Sequence, residues 1–262
     1  MNKIDLVVIT GAGRGIGKAI ALDFGKKGID VLCISKSKNS VLTKNEIINK
    51  GGKAFSLELD IRNYDEVSQK ITNWYKNHSI YKKIGFVFAA SVLGKKTDSK
   101  NLDLNDWEET MKVNLFGNLA VYNTFLPILF QEQFGRFMFF AGGGSAYEFP
   151  LFAAYSASKT AVVRTVENLE AMLLGKGDFV FSVVAPGAIN TDMLQEVKKA
   201  GAEVRTTLDI SEPVNFAYHF LNSYKCNFSG RFVHVRDIWK DYLNNDNMIE
   251  NNDLWKLRRI EK

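Results

Sequence analysis

The chain has 262 residues, of which 46% are hydrophobic and 24% are charged, and we expect residues 1–262 to form a single domain with one sizeable core. The net charge is +5, but the lysines are scattered through helical patterns rather than gathered with aromatic residues. This distribution does not indicate nucleic acid binding, and a small anionic ligand is the simpler partner.

Short apolar runs alternate with helical patterns along the chain. The apolar runs predict strands at residues 4–9, 31–34, 55–59, 84–90, 137–141, 179–184 and 231–235. The helical patterns are the stripes Ile16/Ile20/Phe24 and Val67/Ile71/Trp74, the stretches 107–130 and 153–174, and a helix capped by Ser211 with Pro213 in its first turn. This alternation predicts an α/β fold with a parallel sheet and helices on both faces.

Targeting and redox signals are few. Cys33 and Cys226 lie far apart and match no metal-binding spacing, so we predict no metal site and a reducing compartment. We find no basic-then-apolar leader, and no apolar run approaches the ~18 residues of a membrane span. The expectation is a cytoplasmic, soluble protein without a membrane partner.

The sequence TGAGRGIG at residues 10–17 joins the first strand to the first helix. Glycines let the backbone turn sharply and approach a pyrophosphate, and the N-terminus of the following helix offers free N–H groups to an anion. We therefore predict a dinucleotide-binding turn. Its cofactor-binding residues are Gly11, Arg14, Gly15, Ile16 and Gly17.

Tyr155 and Lys159, in the sequence YSASK, are four residues apart and so lie on one face of a helix. A nearby cation favours the phenolate form of tyrosine, and such a pair is able to exchange a proton with an alcohol or a ketone. A core tyrosine beside a lysine that extends to solvent gives the same spacing.

The motifs, taken in order, resemble those of the short-chain dehydrogenase/reductase family from residue 4 to about residue 235. The resemblance is carried by the glycine turn, Asp60-Ile61 after the third strand, Asn114 in VNLFG, the YSASK pair and PGAINT at residues 186–191. It implies a three-layer Rossmann fold, a doubly wound sheet of seven parallel strands. The site would lie beyond the carboxyl ends of these strands.

The resemblance also implies roles for these residues. Tyr155 would exchange the proton with the substrate oxygen, Lys159 would lower the Tyr155 pKa and bind the nicotinamide ribose, and Asn114 would hold a water of a proton relay. Asp60 and Ile61 would contact the adenine. The loop residues Pro186, Gly187, Ile189 and Thr191 would hold the nicotinamide carboxamide.

Two positions depart from the family pattern. The family places a serine 13 residues before the tyrosine, where this chain has Gly142 in the sequence AGGGS. Ser145 is a candidate for the missing catalytic hydroxyl, although it is also readable as a simple loop residue. Alternatively, the glycine makes room for a bulky substrate, and substrate hydroxyls or loop N–H groups replace the donor.

The second departure follows the fourth strand, where the family reads Asn-Asn-Ala-Gly and this chain reads FAAS at residues 88–91. The backbone of Ala89 and Ala90 is still expected to pass the adenosine ribose. The change removes side-chain hydrogen bonds near the central helix. Ser91 either faces the site or is solvated.

Charge at the end of the second strand bears on the cofactor. An NAD-binding site needs an acid there, and this chain has Ser35 and Lys36, with Lys38 close behind. Together with Arg14, these residues favour NADP(H) over NAD(H), unless the charges are only solvated surface.

The sequence gives less information about the substrate. Residues 192–210, which include Arg205, are expected to form a lid, and residues 241–262 a tail. In the tail, Leu254, Leu257 and Ile260 space like an apolar helix face that docks on the core or on a neighbouring subunit, while Trp255 and Arg258-Arg259 are an alternative phosphate clamp.

Two functions remain open at this stage. The first is an NAD(P)(H)-dependent oxidoreductase of a ketone or secondary alcohol, with a sugar or nucleotide-linked sugar as a candidate substrate. The second is a cofactor-binding protein with lost or reduced catalysis that acts as a redox sensor or a structural partner. By family resemblance we expect a homodimer or homotetramer built on the helices at 107–130 and 153–174.

Overall fold

The computed structural model describes residues 4–204 and 206–258. The strands are β1 Leu6–Thr10, β2 Asp30–Ser35, β3 Ala54–Glu58, β4 Ile84–Phe88, β5 Phe134–Phe140, β6 Asp178–Ala185, β7 Ala188–Ile189, β8 Thr207–Leu208 and β9 Arg231–His234. The helices are α1 Gly15–Lys26, α2 Asn39–Asn49, α3 Tyr64–Lys76, α4 Leu104–Met111, α5 Asn118–Glu132, α6 Ala153–Leu173, α7 Asp192–Lys199 and α8 Ser211–Leu221. A π-helical turn, Lys112–Gly117, joins α4 to α5.

Seven strands form one parallel sheet in the order β3-β2-β1-β4-β5-β6-β9. The central strands β1, β4 and β5 are buried along their whole length, as expected for a parallel sheet that is covered on both faces. The chain order reverses between β1 and β4. A crevice therefore opens beyond the carboxyl ends of these two strands.

Two apolar clusters cover the two faces of the sheet. On one face, α1 and α8 pack their buried residues, including Phe24 and Phe216, against alternate residues of the strands. On the other face, α3, α5 and α6 pack against a ladder of aromatic rings. Neighbouring rings in this ladder stack with centroids 4.3–5.8 Å apart, across Phe86, Phe88, Phe137, Phe139 and Phe181.

The predicted fold class is confirmed, and each of the seven predicted strands is present within a few residues of its expected bounds. Three details differ. Helix α2 was not predicted, since it buries only Ser40, Thr43 and Ile47 and so carries a weak apolar pattern. The stretch 107–130 is broken by the π turn. Ser211 is the first residue of α8 rather than its cap, and the Asp209 carboxylate accepts its N–H.

The helical stretch Leu104–Glu132 is long and apolar enough to cross a membrane, judged by length and composition alone. Val121, Phe125 and Leu129 of this stretch are buried against the sheet. A core helix of a globular protein passes the same test, so the stretch is weak evidence for a membrane span.

The segment expected to form the lid contains α7, followed by β8, which pairs with β7 in a small separate sheet. Two cations lie at the ends of α7. Arg14 pairs with Asp192 at the first residue, and the Lys96 ammonium donates to the Ala200 carbonyl just after the last. Arg205 lies outside the described residues.

The tail docks on its own chain. The Phe232 N–H of the edge strand β9 donates to the Trp255 carbonyl (2.7 Å), and the Leu257 N–H donates to the Glu167 carboxylate on α6 (2.8 Å). The Trp255 ring packs edge-on against Phe228 and Tyr242. The predicted apolar helix face is wrong for the described part, which is a series of turns, and Arg259 and Ile260 lie outside the described residues.

We expect Trp255→Ala to lower the free energy of unfolding by about 1–3 kcal/mol, because a half-buried ring loses its packing against Phe228 and Tyr242. Chemical denaturation measures this. Met248→Ala, at an exposed tail side chain, is the control and should have little effect. Equal stability of the Trp255 variant and wild type would contradict docking of the tail.

Candidate active site

The glycine turn and the end of β4 approach each other at the crevice. Gly11 has a φ of +70°, and a Cβ at this position would lie 2.7–2.8 Å from the backbone of Ala89 and Ala90. A Cβ on Gly17 would lie 2.5 Å from the Gly11 carbonyl oxygen. Only glycine allows these approaches, so the backbone itself forms this part of the site.

The N-terminus of α1 fits the pyrophosphate of a dinucleotide. Arg14 occupies the cap position and, among the described residues, no side chain accepts the N–H groups of the first turn, which begins at Gly15 and Ile16. Gly15 has a φ of +55°. Bare backbone and the positive end of a twelve-residue helix are what an anion requires, so these residues fit the cofactor.

The predicted phosphate-binding cations are present at this crevice, and each is paired with a carboxylate. Arg14 lies 3.3 Å from Asp192, and both side chains are exposed. Lys36 extends from the end of β2 and lies 3.5 Å from Asp60. Exposed pairs of this kind are weak, so both cations remain available to an anion.

Ser35 is committed to the local turn. Its hydroxyl donates to the Ser37 carbonyl (2.7 Å) and accepts the Ser40 N–H (3.0 Å). The Ser35 hydroxyl therefore helps to begin α2. The predicted contact with the 2′-phosphate falls mainly to Lys36.

Asp60 lies at the end of β3, on the same edge of the sheet. Arg62 hydrogen-bonds its carboxylate through the guanidinium and the backbone N–H, and this holds the Asp60 pKa to about 2. Ile61 is buried against the π turn, since a Cβ on Gly117 would lie 2.6 Å from its side chain. Asp60 is thus ionised throughout the physiological range.

The loop at residues 186–191 is held against the glycine turn. Ile189 is buried in β7, and the Thr191 methyl carbon would lie 3.5 Å from a Cβ on Gly15. Gly187 has a φ of +74° just after Pro186, at the point where the chain leaves β6. The structure therefore brings this loop, the glycine turn and the end of β4 to one edge of the sheet.

Tyr155 and Lys159 lie in the first two turns of α6 at the same edge. Lys159 is buried, and its ammonium donates to the Phe140 carbonyl at the end of β5 (3.1 Å). The ammonium nitrogen is 5.6 Å from the centre of the Tyr155 ring. The pair is thus adjacent, with the lysine anchored to the sheet.

Burial shifts the pKa of both members of the pair toward the uncharged form. Loss of water around the phenol raises the Tyr155 pKa to about 12, and burial lowers the Lys159 pKa to about 7. A lysine with that pKa is only partly charged near neutrality. The phenol is therefore protonated at neutral pH, and the lowering of its pKa by Lys159 stays a prediction.

Asn114 is buried in the π turn, and its side-chain amide is fully used. Its Nδ2 donates to the Val92 carbonyl and to the Ser158 hydroxyl (both 2.9 Å). Its Oδ1 accepts the Val92 N–H (2.8 Å) and the Ser91 hydroxyl (3.0 Å). A relay water at Asn114 would therefore have to use its backbone carbonyl, and Ser91 supports Asn114 rather than being merely solvated.

Gly142 lies directly beside the catalytic tyrosine candidate. A Cβ at this position would be 3.6 Å from the Tyr155 hydroxyl oxygen, so a serine here would have placed a hydroxyl next to it. Ser145, three residues on, is buried, and its hydroxyl has no hydrogen-bond partner within residues 4–204 and 206–258. An unpaired buried hydroxyl is costly, so the Ser145 hydroxyl retains an unused capacity for hydrogen bonding.

Asn118 was missed by the sequence analysis. It is buried one turn after Asn114 and hydrogen-bonds both Thr10, in the glycine turn, and the Ala90 carbonyl (2.7 and 3.0 Å). These bonds lie where the FAAS departure was expected to remove polar contacts. The available signal was a second asparagine at i+4 on the apolar central helix.

Comparisons with known proteins identify the family of this chain. A family profile described as short chain dehydrogenase matches residues 5–202. A 3-oxoacyl-[acyl-carrier-protein] reductase of Synechocystis sp. is 29% identical over 196 residues, covering 73% of this chain and 77% of that protein.

Solved structures share the fold. NAD+-bound xylitol dehydrogenase superposes with a TM-score of 0.79 at 19% identity, covering 89% of this chain and 97% of that one. A short chain dehydrogenase from Shigella flexneri complexed with NADP gives a TM-score of 0.80 at 17% identity, with coverage of 90% and 98%. The chain therefore belongs to the short-chain dehydrogenase/reductase family of oxidoreductases, which use a nicotinamide cofactor.

Proposed function

We propose that this oxidoreductase interconverts a ketone and a secondary alcohol, with Tyr155 as the group that exchanges the proton with the substrate oxygen. The observation that carries the proposal is the position of the Tyr155 hydroxyl. The hydroxyl lies beside Gly142, and the Tyr155 ring lies 5.6 Å from the anchored Lys159 ammonium, at the edge of the sheet that also holds the glycine turn. The domain would span residues 1–262, with 192–210 as a lid.

The cofactor, when bound, supplies or accepts the hydride. Tyr155, protonated at neutral pH, donates its proton to the substrate oxygen during reduction. Lys159 holds the nicotinamide ribose and, in its charged form, offsets the negative charge that develops on Tyr155. Asn114 fixes the start of α6, because its bond to Ser158 continues to the Tyr155 carbonyl (2.7 Å).

Ser145 is proposed to steady the substrate oxygen in place of the family serine. Its buried, unpartnered hydroxyl supports this role. The glycines before it leave open space, since a Cβ on Gly143 would meet no atom within 4 Å. That space suits a bulky substrate, and we keep sugars, nucleotide-linked sugars and 3-oxoacyl thioesters as candidate classes, the last because of the substrate named for the Synechocystis relative.

NADP(H) is proposed in preference to NAD(H). The end of β2 carries Ser35 and Lys36 rather than an acid, and Arg14 reaches the same crevice. The 2′-phosphate would be attracted by both cations. We further propose a cytoplasmic homo-oligomer that buries the outer faces of the π turn, α5 and α6, where Phe116, Phe130 and Met172 are exposed.

Tyr155→Phe is expected to lower turnover by about 100-fold or more, because the proton donor is lost, while NADPH binding persists. Nicotinamide absorbance is followed with a panel of simple ketones, sugar ketones and a 3-oxoacyl thioester. The matched control is Tyr147→Phe, at an exposed tyrosine before α6. Equal rates in wild type and Tyr155→Phe would contradict the assignment of Tyr155 as the proton donor.

Ser145→Ala is expected to lower kcat by roughly 100-fold if its hydroxyl steadies the substrate oxygen. Gly142→Ser in the same chain should restore part of the rate, since position 142 adjoins the Tyr155 hydroxyl. Ser182→Ala is the control, because Ser182 also carries a buried, unpartnered hydroxyl, but in the interior of β6. A rate unaffected by Ser145→Ala assigns Ser145 to the loop alone.

Lys36→Ala is expected to weaken NADPH binding about tenfold and to leave NADH binding nearly unchanged, because only NADPH carries the 2′-phosphate. Fluorescence titration gives both dissociation constants. Lys26→Ala, at the exposed end of α1 remote from the crevice, is the control. Parallel losses for the two cofactors would argue against phosphate recognition by Lys36.

A further inference from the structure

Strand β4 meets the central helix, which consists of the π turn and α5, without the polar side chains that the family pattern places at residues 88 and 89. Phe88 is buried there and stacks on Phe139, with ring centroids 4.3 Å apart. Ala89 has no polar side-chain group. A polar link between the cofactor-binding edge and the helix that carries Asn114 must therefore come from elsewhere.

Asn118 provides that link. The Thr10 hydroxyl donates to its Oδ1 (2.7 Å) and itself accepts the Ala90 N–H (3.2 Å). The Asn118 Nδ2 group donates to the Ala90 carbonyl (3.0 Å), which closes a ring of hydrogen bonds. Asn118 and Thr10 are both at most 2% exposed, so water does not compete for these bonds.

The same amide group also reaches the π turn. Its Nδ2 lies 3.2 Å from the Val113 carbonyl and 3.3 Å from the Asn114 carbonyl. A π turn replaces the regular i→i−4 backbone hydrogen bonds with i→i−5 bonds, and the Asn118 side chain adds a donor to two of its carbonyls. Asn118 thus holds the backbone of Asn114 and the end of β4 in one arrangement.

We propose that Asn118 is a positioning residue that sets Asn114 relative to the cofactor-binding edge at Thr10 and Ala90. It acts through Asn114, whose side chain bonds Ser158, which in turn bonds the Tyr155 carbonyl. The inference rests on the proposed function in so far as Asn114 and Tyr155 belong to the proton-transfer apparatus. The asparagine that makes this link comes from α5 rather than from the end of β4, where the family pattern places it.

The test compares Asn118→Ala with Val121→Ala. Val121 is equally buried on the same helix, and it belongs to the apolar cluster that α3, α5 and α6 form with one face of the sheet. In Asn118→Ala, kcat should fall about tenfold or more and the pH dependence of kcat should shift, with KM changing less, because the proton-transfer groups are displaced slightly. Val121→Ala should lose stability while keeping the wild-type pH profile.

A second pair of variants covers poor folding of Asn118→Ala. Thr10→Val removes the hydroxyl that bonds Asn118 and Ala90, and Thr10→Ser keeps it. The valine variant should show the shifted pH profile, and the serine variant should resemble wild type. The proposal would be overturned if Asn118→Ala and Val121→Ala had equal kcat and equal pH profiles. Equal values for Thr10→Val and Thr10→Ser would overturn it as well.

Amide hydrogen exchange of the protein without cofactor separates this inference from the proposed function. Exchange at residues 112–117 and 89–92 should rise in Asn118→Ala but not in Val121→Ala. If wild type turns over no substrate of the panel, the proposed function fails, and the exchange result alone decides the role of Asn118. Equal exchange in both variants would contradict it.

Discussion

The approach of the glycine turn to the end of β4 is the constraint on which the site depends. A Cβ at Gly11 would collide with the backbone of Ala89 and Ala90, so the crevice exists only because the turn is bare backbone. The same approach allows Thr10 to hydrogen-bond Ala90 and Asn118. The cofactor-binding edge and the central helix are thereby joined, although the end of β4 lacks the asparagines of the family pattern.

Burial sets the electrostatics of the acid/base pair. Lys159 is anchored to a β5 carbonyl in the interior, where its charged form is disfavoured, and Tyr155 is shielded enough to stay neutral. At the opposite side of the crevice the charges are exposed. Arg14 and Lys36 each pair with a carboxylate at the surface, where solvent weakens the pair, so they respond readily to an anion.

Much of this arrangement could be predicted from the sequence. The strands are strongly apolar and separated by helical patterns, and all seven were found. Helix α2 was missed because its buried face is small and partly polar. Asn118 was missed because a buried asparagine in an apolar helix shows no periodic signal, and its partner Thr10 is 108 residues away. Such a contact exists only once the sheet has assembled.

By itself, the sequence determined the strand order along the chain, the bare glycine turn and the spacing of Tyr155 and Lys159, because each depends on local backbone preferences and short periodicities. Only the tertiary structure decided the pKa directions, the partners of Arg14 and Ser35, and the unpaired state of the Ser145 hydroxyl. These properties depend on which distant groups exclude water from a side chain or offer it a hydrogen bond, and that is settled by packing.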